Sequence, residues 1–288
     1  MKGGVLFLGY IRSATSSALT KRAADGGDSA ASRDIFHALS FFSSLDSPTP
    51  APRPPLTQTV RRWKLMVKKQ KIVVIGSSGH AKVAIDVIEK EGKFSIVGLI
   101  DSFKKAGQEV FNYQILGTEE DLPILSKKYN LFGSFIAIGD NWQRHLMAKK
   151  IEKISPTLNF VSTFHPSVQL ARGAIIGKGT IATAESVVNS DCEIGTFCII
   201  NTKASLDHDC IMGNFSSLAP NATTGGNVKI DAFSSISLGA NIIHNRNIGK
   251  HTVIGAGSVV LNDIPDYCVA YGTPAKVIRT RQEGDKYL

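Results

Sequence analysis

Large apolar residues return at every sixth position between Leu170 and Val260, over about ninety residues. Only Ala182 and Thr224 interrupt this series, and a second series of mostly small residues follows four positions later. An amphipathic helix repeats about every 3.6 residues and a half-buried strand every second residue, so neither explains a period of six. A fixed hexapeptide period is typical of a parallel β-helix, in which each hexad forms one flat side and successive coils share a core.

Residues 70–162 follow a different pattern, in which short apolar runs alternate with amphipathic segments. Such alternation predicts a parallel sheet with helices on its faces. The predicted strands are 71–75, 94–100 and 134–138, and the predicted helices are 80–91, 121–129 and 141–153.

A glycine turn at residues 76–79 (Gly-Ser-Ser-Gly) joins the first predicted strand to the first helix. It places backbone N–H groups and a helix N-terminus where α/β proteins bind nucleotides. Asp101 ends the second strand, where an acidic residue commonly meets a ribose, and a turn at Gly139 lies at the same end of the sheet. The turn lacks the GxGxxG fingerprint, so a simple strand-to-helix connection is the alternative interpretation.

Residues 1–65 differ in composition from the rest of the chain. They are rich in Ala, Ser and Pro, and their nine Lys/Arg against four Asp contribute +5 of the formal net charge of +9. Three interpretations stay open: a transit peptide, a disordered tail, or an extension that reflects the choice of start codon. The four Asp count against a transit peptide, and Met66 opens a strand-like segment. We therefore expect residues 1–65 to be a disordered or non-native N-terminal extension.

The composition excludes several classes of protein. A hydrophobic content of 43% with 20% charged residues suits a globular protein, no apolar run is long enough to span a membrane, and no basic cluster alternates with aromatic residues as in nucleic-acid binding. Zinc-like spacing of His and Cys is missing, so no metal is expected. Three of the four cysteines occupy small inward positions of the repeat, which favours a reducing compartment and a cytoplasmic location.

Several motifs together resemble one family of enzymes. These are IGSSGHAKVAIDVIE, FIAIGDN, NTKASLDHDCIMGNFSSLAP, GGNVKI and YGTPAKVIR. Over residues 66–288 the chain resembles the sialic acid O-acetyltransferase and UDP-4-amino-sugar N-acetyltransferase family of hexapeptide-repeat acyltransferases. The resemblance implies an α/β, Rossmann-like parallel-sheet domain at 66–162 that holds a nucleotide sugar, and a left-handed parallel β-helix at 163–288 that holds acetyl-CoA. It also implies a homotrimer with active sites between neighbouring β-helices.

The resemblance also implies individual site residues. The catalytic pair falls on His208 and Asp209. The acetyl-CoA contacts fall on Ser217, Gly226, Leu238 and Ala256, and the acceptor contacts fall on Ser78, Gly79, His80, Asp101 and Gly139. Some members carry a histidine where this chain has Ser217, which leaves the contact at that position open.

His208 also has the properties of a general base without reference to the family. A histidine titrates near neutral pH, and a neighbouring carboxylate favours its protonated form. His208 follows the inward Leu206 by two positions, so it is expected to project outward. Asp207 and Asp209 both flank it, and a corner of the coil must intervene for either to reach it. His244 lies two coils further on at the same phase and is the alternative base.

The sequence thus predicts an acetyl-CoA-dependent acetyltransferase that acts on a sugar amine or hydroxyl, most simply a nucleotide-linked amino sugar. O-acetylation of sialic acid or of another small molecule is one alternative. A non-catalytic β-helix scaffold is another. The sequence identifies neither the sugar nor the donor that would stabilise the oxyanion.

Overall fold

The computed structural model describes residues 69–286, so the expectations for residues 1–65 lie outside the described residues. The first part of this range forms an α/β layer. Its strands are β1 (Gln70–Ile75), β2 (Phe94–Ile100), β3 (Glu109–Val110), β4 (Tyr113–Gly117), β5 (Gly133–Ile136) and β6 (Asn159–Phe160). Its helices are α1 (Gly79–Glu91), α2 (Leu122–Tyr129), which follows a 3-10 turn at Glu119–Asp121, and α3 (Asn141–Ile154).

The six strands form one sheet in the order β3-β4-β2-β1-β5-β6. All neighbours are parallel except β3 and β4, which form an antiparallel hairpin at the edge. The sequence pattern predicts neither β3, which is only two residues long, nor β4. Since β1 lies between β2 and β5, the glycine turn after β1 lies between the loops that follow these two strands, at the end where α/β sheets bind ligands.

Local sequence accounts for the ends of the helices. The helix α1 buries Ala84 and Ile88 against the sheet and ends at Gly92, which adopts a left-handed φ of 70°. The helix α3 begins after Asp140, whose carboxylate accepts a hydrogen bond from the Gln143 N–H at 2.8 Å. None of the helices within residues 69–286 is long and apolar enough to cross a membrane.

Short strands, which stack at intervals of eighteen residues, form a left-handed parallel β-helix with three sides. The first side contains β7 (Thr163–Phe164), β10 (Ile181–Ala182), β13 (Ile199–Ile200), β16 (Ser217–Leu218), β19 (Ser235–Ile236) and β22 (Val253–Ile254). The second side contains β8 (Gln169–Leu170), β11 (Val187–Val188), β14 (Ser205–Leu206), β17 (Thr223–Thr224), β20 (Asn241–Ile242) and β23 (Val259–Val260). The third side contains β9 (Ile175–Ile176), β12 (Glu193–Ile194), β15 (Ile211–Met212), β18 (Lys229–Ile230) and β21 (Asn247–Ile248). A hairpin of β24 (Cys268–Gly272) and β25 (Ala275–Thr280) extends the first side.

The hexapeptide pattern correctly identifies the core of the β-helix. Inward aliphatic residues such as Leu206 and Ile236 are fully buried, and the small series fills the space beside them. Three of the four cysteines belong to this small series, and all four are buried free thiols. Leu170 is an exception, because it belongs to the first coil and remains 45% exposed, with no preceding coil to cover it.

Between Gly173 and Gly257 every corner turns through a residue in the left-handed region, three positions after the residue of the inward series. This column runs without a gap from Gly173 to Gly257 at steps of six, and it includes Asp209 with a φ of 58°. The corners form three edges. We name them by the sides they join: the first–second edge, the second–third edge and the third–first edge.

The α/β layer packs on the third–first edge through α3. Stacked rings form this edge, with centroid separations of 4.5–5.5 Å: Phe197, Phe215, Phe233, His251 and Tyr267. Arg144 of α3 is 1% exposed and donates hydrogen bonds to the backbone carbonyls of Phe197 at 2.8 Å and Phe215 at 3.3 Å. The same guanidinium donates to the carbonyls of Ile138 and Gly139 in the turn after β5. One buried side chain therefore joins the end of the sheet to two successive coils.

Candidate active site

His208 and Asp209 form a hydrogen-bonded pair on the second–third edge. The imidazole Nδ1 lies 2.7 Å from Asp209 Oδ2, and both side chains are about half exposed. The left-handed turn at Asp209 is the corner that brings these consecutive side chains together. Asp207 has a different role, since its Oδ1 accepts hydrogen bonds from the His208 backbone N–H at 2.9 Å and from Asn189 at 3.0 Å. The structure thus selects Asp209 as the partner of the imidazole.

The pair sets the protonation chemistry of the imidazole. A carboxylate only accepts hydrogen bonds, so Nδ1 carries the proton and Nε2 is the basic nitrogen. The hydrogen bond with Asp209 raises the pKa of His208 above its ordinary value. The backbone N–H of His208 and the Asn189 amide hold the pKa of Asp207 below its usual range, so Asp207 stays ionised beside the pair.

Gly226 lies directly against the His208 ring, one coil further along the same edge. A Cβ atom placed on Gly226 would lie 2.6 Å from both Cε1 and Nε2 of His208. Gly226 does not line the groove described next, where the other three predicted acetyl-CoA contacts lie. His244 is exposed and follows one further coil along this edge.

A groove of about 570 Å³ crosses the first side of the β-helix. Three of the predicted acetyl-CoA contacts line it, namely Ser217, Leu238 and Ala256. Two of the predicted acceptor contacts, His80 and Gly139, line the same groove from the α/β layer. The structure therefore brings five predicted residues of two classes together, and it places them away from the second–third edge that carries His208.

The groove has a neutral histidine at one end. Burial, together with the nearby Arg144 guanidinium, lowers the pKa of His80 to about 4. Its Nε2 is buried and has no hydrogen-bond partner within residues 69–286. The imidazole at this end of the groove is therefore held in its neutral form.

A second cavity, of about 510 Å³, lies at the carboxyl end of the sheet and contains Ser78 and Asp101. The remaining predicted acceptor residue, Gly79, lines neither cavity. A Cβ atom on Gly79 would meet nothing within 4 Å and its φ is ordinary, so the fold itself does not require glycine there. The glycine that the turn needs is Gly76, which has a φ of 100° and where an added Cβ atom would lie 3.1 Å from the Ala137 carbonyl oxygen.

Charged residues that the sequence pattern did not indicate also line this second cavity. Glu119 is almost fully buried and accepts hydrogen bonds from the Ser102 hydroxyl and from Lys150 Nζ, the latter at 2.9 Å. These residues are distant in sequence and follow no motif, so only the folded chain brings them together. No group of three or more His, Cys, Asp or Glu side chains in the described part of the chain is arranged to hold a metal ion.

Comparison with known proteins gives the family. Residues 71–151 match the PglD N-terminal domain. The solved structure of a perosamine N-acetyltransferase from Caulobacter crescentus, in complex with CoA and GDP-perosamine, is 32% identical, with a TM-score of 0.68. The match covers 74% of this chain and 98% of that one. The chain belongs to the hexapeptide-repeat sugar acetyltransferases.

Other members of this sugar acetyltransferase family are similar over shorter or comparable lengths. The acetyltransferase domain of PglB from Neisseria gonorrhoeae, in complex with acetyl coenzyme A, is 29% identical with a TM-score of 0.67, over 73% of this chain and all of that one. The dTDP-3-amino-3,6-dideoxy-alpha-D-galactopyranose 3-N-acetyltransferase of Aneurinibacillus thermoaerophilus is 54% identical over 36 residues, which are 12% of this chain and 19% of that one. The chain thus spans about a fifth of the length of the curated relatives it matches. The family and the fold expected from the sequence are confirmed.

Proposed function

We propose that this protein transfers the acetyl group of acetyl-CoA to the amine of a nucleotide-linked amino sugar, with His208 as general base. The observation that carries the proposal is the His208–Asp209 pair, which leaves a basic Nε2 on a half-exposed edge. Solved structures of similar enzymes contain CoA with GDP-perosamine, or acetyl coenzyme A, which supports both substrate classes.

The reaction needs one proton to move from acceptor to leaving group. The amine nitrogen attacks the thioester carbonyl carbon, and its proton passes to His208 Nε2. The carbon–sulfur bond breaks, and the imidazolium returns that proton to the departing thiolate. Asp209 stabilises the imidazolium between the two transfers through the hydrogen bond to Nδ1.

The proposal divides the chain by task. Residues 66–162 hold the acceptor, with its nucleotide in the cavity at the end of the sheet, where Ser78 and Asp101 lie. Residues 163–288 hold acetyl-CoA along the groove that Ser217, Leu238 and Ala256 line. The buried free thiols support a reducing, cytoplasmic location.

We further propose a homotrimer, because one subunit carries the candidate base and the proposed acetyl-CoA groove on different edges. His208 lies on the second–third edge, whereas Leu238 and Ala256 lie at the first–second edge of the groove. A neighbouring subunit would bring its own His208 to this groove. Mixing His208→Ala subunits with Ala256→Tyr subunits, each inactive alone, should restore part of the activity when the trimers are reassembled from both. Failure of every mixture to regain activity would refute a shared site.

Thiol release from acetyl-CoA tests the proposed reaction. The acceptor panel contains GDP-, UDP- and dTDP-linked amino sugars, a free amino sugar, a galactoside and free sialic acid. We expect the fastest release with a nucleotide-linked amino sugar. Preferential acetylation of sialic acid or of the galactoside would instead show an O-acetyltransferase, and no release with any acceptor would contradict the proposal.

A further inference from the structure

The loop after β2 carries a phenylalanine at the cavity where we place the nucleotide. Phe103 is 99% exposed and belongs to the lining of that cavity. A single exposed apolar side chain is common on protein surfaces, so exposure alone indicates nothing. Its position beside the turn at residues 76–79 is the informative feature.

Hydrogen bonds fix the backbone that carries this ring. The carboxylate of Asp101 accepts the Phe103 N–H on Oδ1 at 2.8 Å and the Ser77 hydroxyl on Oδ2. The ammonium group of Lys104 donates to the Ser77 carbonyl at 2.9 Å. The loop after β2 is therefore held against the glycine turn after β1. Asp101, which the sequence suggested as a ribose contact, has both oxygens engaged in holding this loop.

The cavity has one apolar part and one polar part. Its other apolar lining comes from Ile138, Leu146 and Met147, and Leu146 is exposed as well. Its polar part includes Ser78 at the N-terminus of α1, which has no acidic residue in its first turn and no side-chain hydrogen bond at its cap. The N–H groups of such a helix end favour a phosphate, and aromatic rings stack on the flat face of any nucleobase.

We propose that Phe103 is the stacking platform for the base of the nucleotide-linked acceptor. The inference rests on the proposed function, since it names the residue that would recognise the nucleotide of that acceptor. The base lies on the Phe103 ring among the apolar side chains, and the diphosphate lies at the start of α1. Stacking accepts every base, so the ring supplies affinity for nucleotides as a class rather than for one base.

Equilibrium binding of defined probes tests the proposal. The probes are UDP, GDP and dTDP, with inorganic pyrophosphate as the probe that lacks a base. Phe103→Ala should weaken binding of each nucleotide about 5-fold to 150-fold, the range that corresponds to the loss of one aromatic–base stack. Pyrophosphate binding should stay unchanged. Phe103→Trp should keep nucleotide affinity near that of the wild type, because it retains a planar ring.

A matched control is Ile124→Ala, which removes another exposed apolar side chain, 70% exposed on α2 and outside the cavity. This variant should bind all probes as the wild type does. Equal nucleotide affinity in wild type and Phe103→Ala would overturn the stacking role while leaving the proposed function intact. Equal weakening for nucleotides and pyrophosphate would also overturn it, because the effect would then not involve the base. A wild-type protein that binds none of the nucleotides would overturn the proposed nucleotide-linked acceptor itself.

Discussion

Replacing Gly226 with alanine tests whether the position of the His208 ring controls the reaction. The added Cβ would lie 2.6 Å from Cε1 and Nε2, whereas ordinary contact begins at 3.4 Å, so the ring must move by about 0.8 Å. The backbone of Gly226 lies outside the left-handed region, so alanine fits the main chain. The substitution therefore acts on the imidazole and not on the fold.

The expected loss follows from that displacement. A misplacement of about 1 Å in a reacting group can cost about 100-fold in rate, and complete removal of a general base costs about 10²–10⁴-fold. We therefore expect kcat to fall by about 100-fold in Gly226→Ala. Stability should be unchanged or slightly higher, because alanine restricts the unfolded chain by about 0.4–1 kcal/mol relative to glycine.

The assay is steady-state thiol release with both substrates saturating, together with thermal unfolding. The double variant His208→Ala/Gly226→Ala is the control, since without the imidazole the second substitution should cost nothing more. If Gly226 instead contacts acetyl-CoA, as the family resemblance implies, the KM for acetyl-CoA should rise and the effect should persist in the His208→Ala background. A raised KM for acetyl-CoA, or an effect that persists without the imidazole, would refute the role of Gly226 in positioning the His208 ring.

Three further predictions concern the histidines. His208→Ala should lower kcat by about 10²–10⁴-fold with acetyl-CoA affinity retained, whereas His244→Ala should lose far less; the reverse order would make His244 the base. The rate should rise with pH as His208 loses its proton, at a pKa above 6.5. Asp209→Asn should lower this pKa, because the hydrogen bond that raises it is weakened. A pH–rate profile that does not move in Asp209→Asn would contradict the pairing of His208 with Asp209. His80 has a folded pKa of about 4 against 6.5 in the unfolded chain, so its contribution to stability is complete above pH 6.5 and is lost as the pH falls toward 4. This contribution should amount to about 3 kcal/mol. It is measured by comparing how the unfolding free energy of wild type and of His80→Leu depends on pH. Parallel plots of unfolding free energy against pH would refute the contribution of His80.

The β-helix could be predicted from the sequence because every coil places its inward residues at fixed intervals of six. A residue such as Ile236 is inward simply because it falls at the right multiple of six, and His208 is outward for the same reason. Most of the α/β elements follow from ordinary strand and helix patterns. The exceptions are β3, β4 and β6, of which β3 and β6 are only two residues long.

The missed features depend on contacts between distant segments. The hydrogen bond from Arg144 to the Phe197 carbonyl joins residues 53 apart in sequence, and an arginine in the first turn of a helix gives no sign in the sequence of being buried. Asp209, rather than Asp207, is the partner of the imidazole because of the left-handed corner at Asp209, which the sequence pattern does not show. Only the contact of Gly226 with His208 had a visible signal, because residues eighteen apart stack in a coil of three hexads.

The unbroken column of left-handed corners has a consequence for how the length of this chain can vary. One extra residue within a flat side would shift every later corner out of phase and turn the following aliphatic residues toward solvent, whereas an extra loop that leaves and re-enters at one corner would keep all later positions in step. Length variants that keep the β-helix should therefore carry their insertions at corners or gain whole coils of eighteen residues. Asp209 is itself a corner residue, so an insertion at that corner would separate the imidazole from its carboxylate even while the core remained intact.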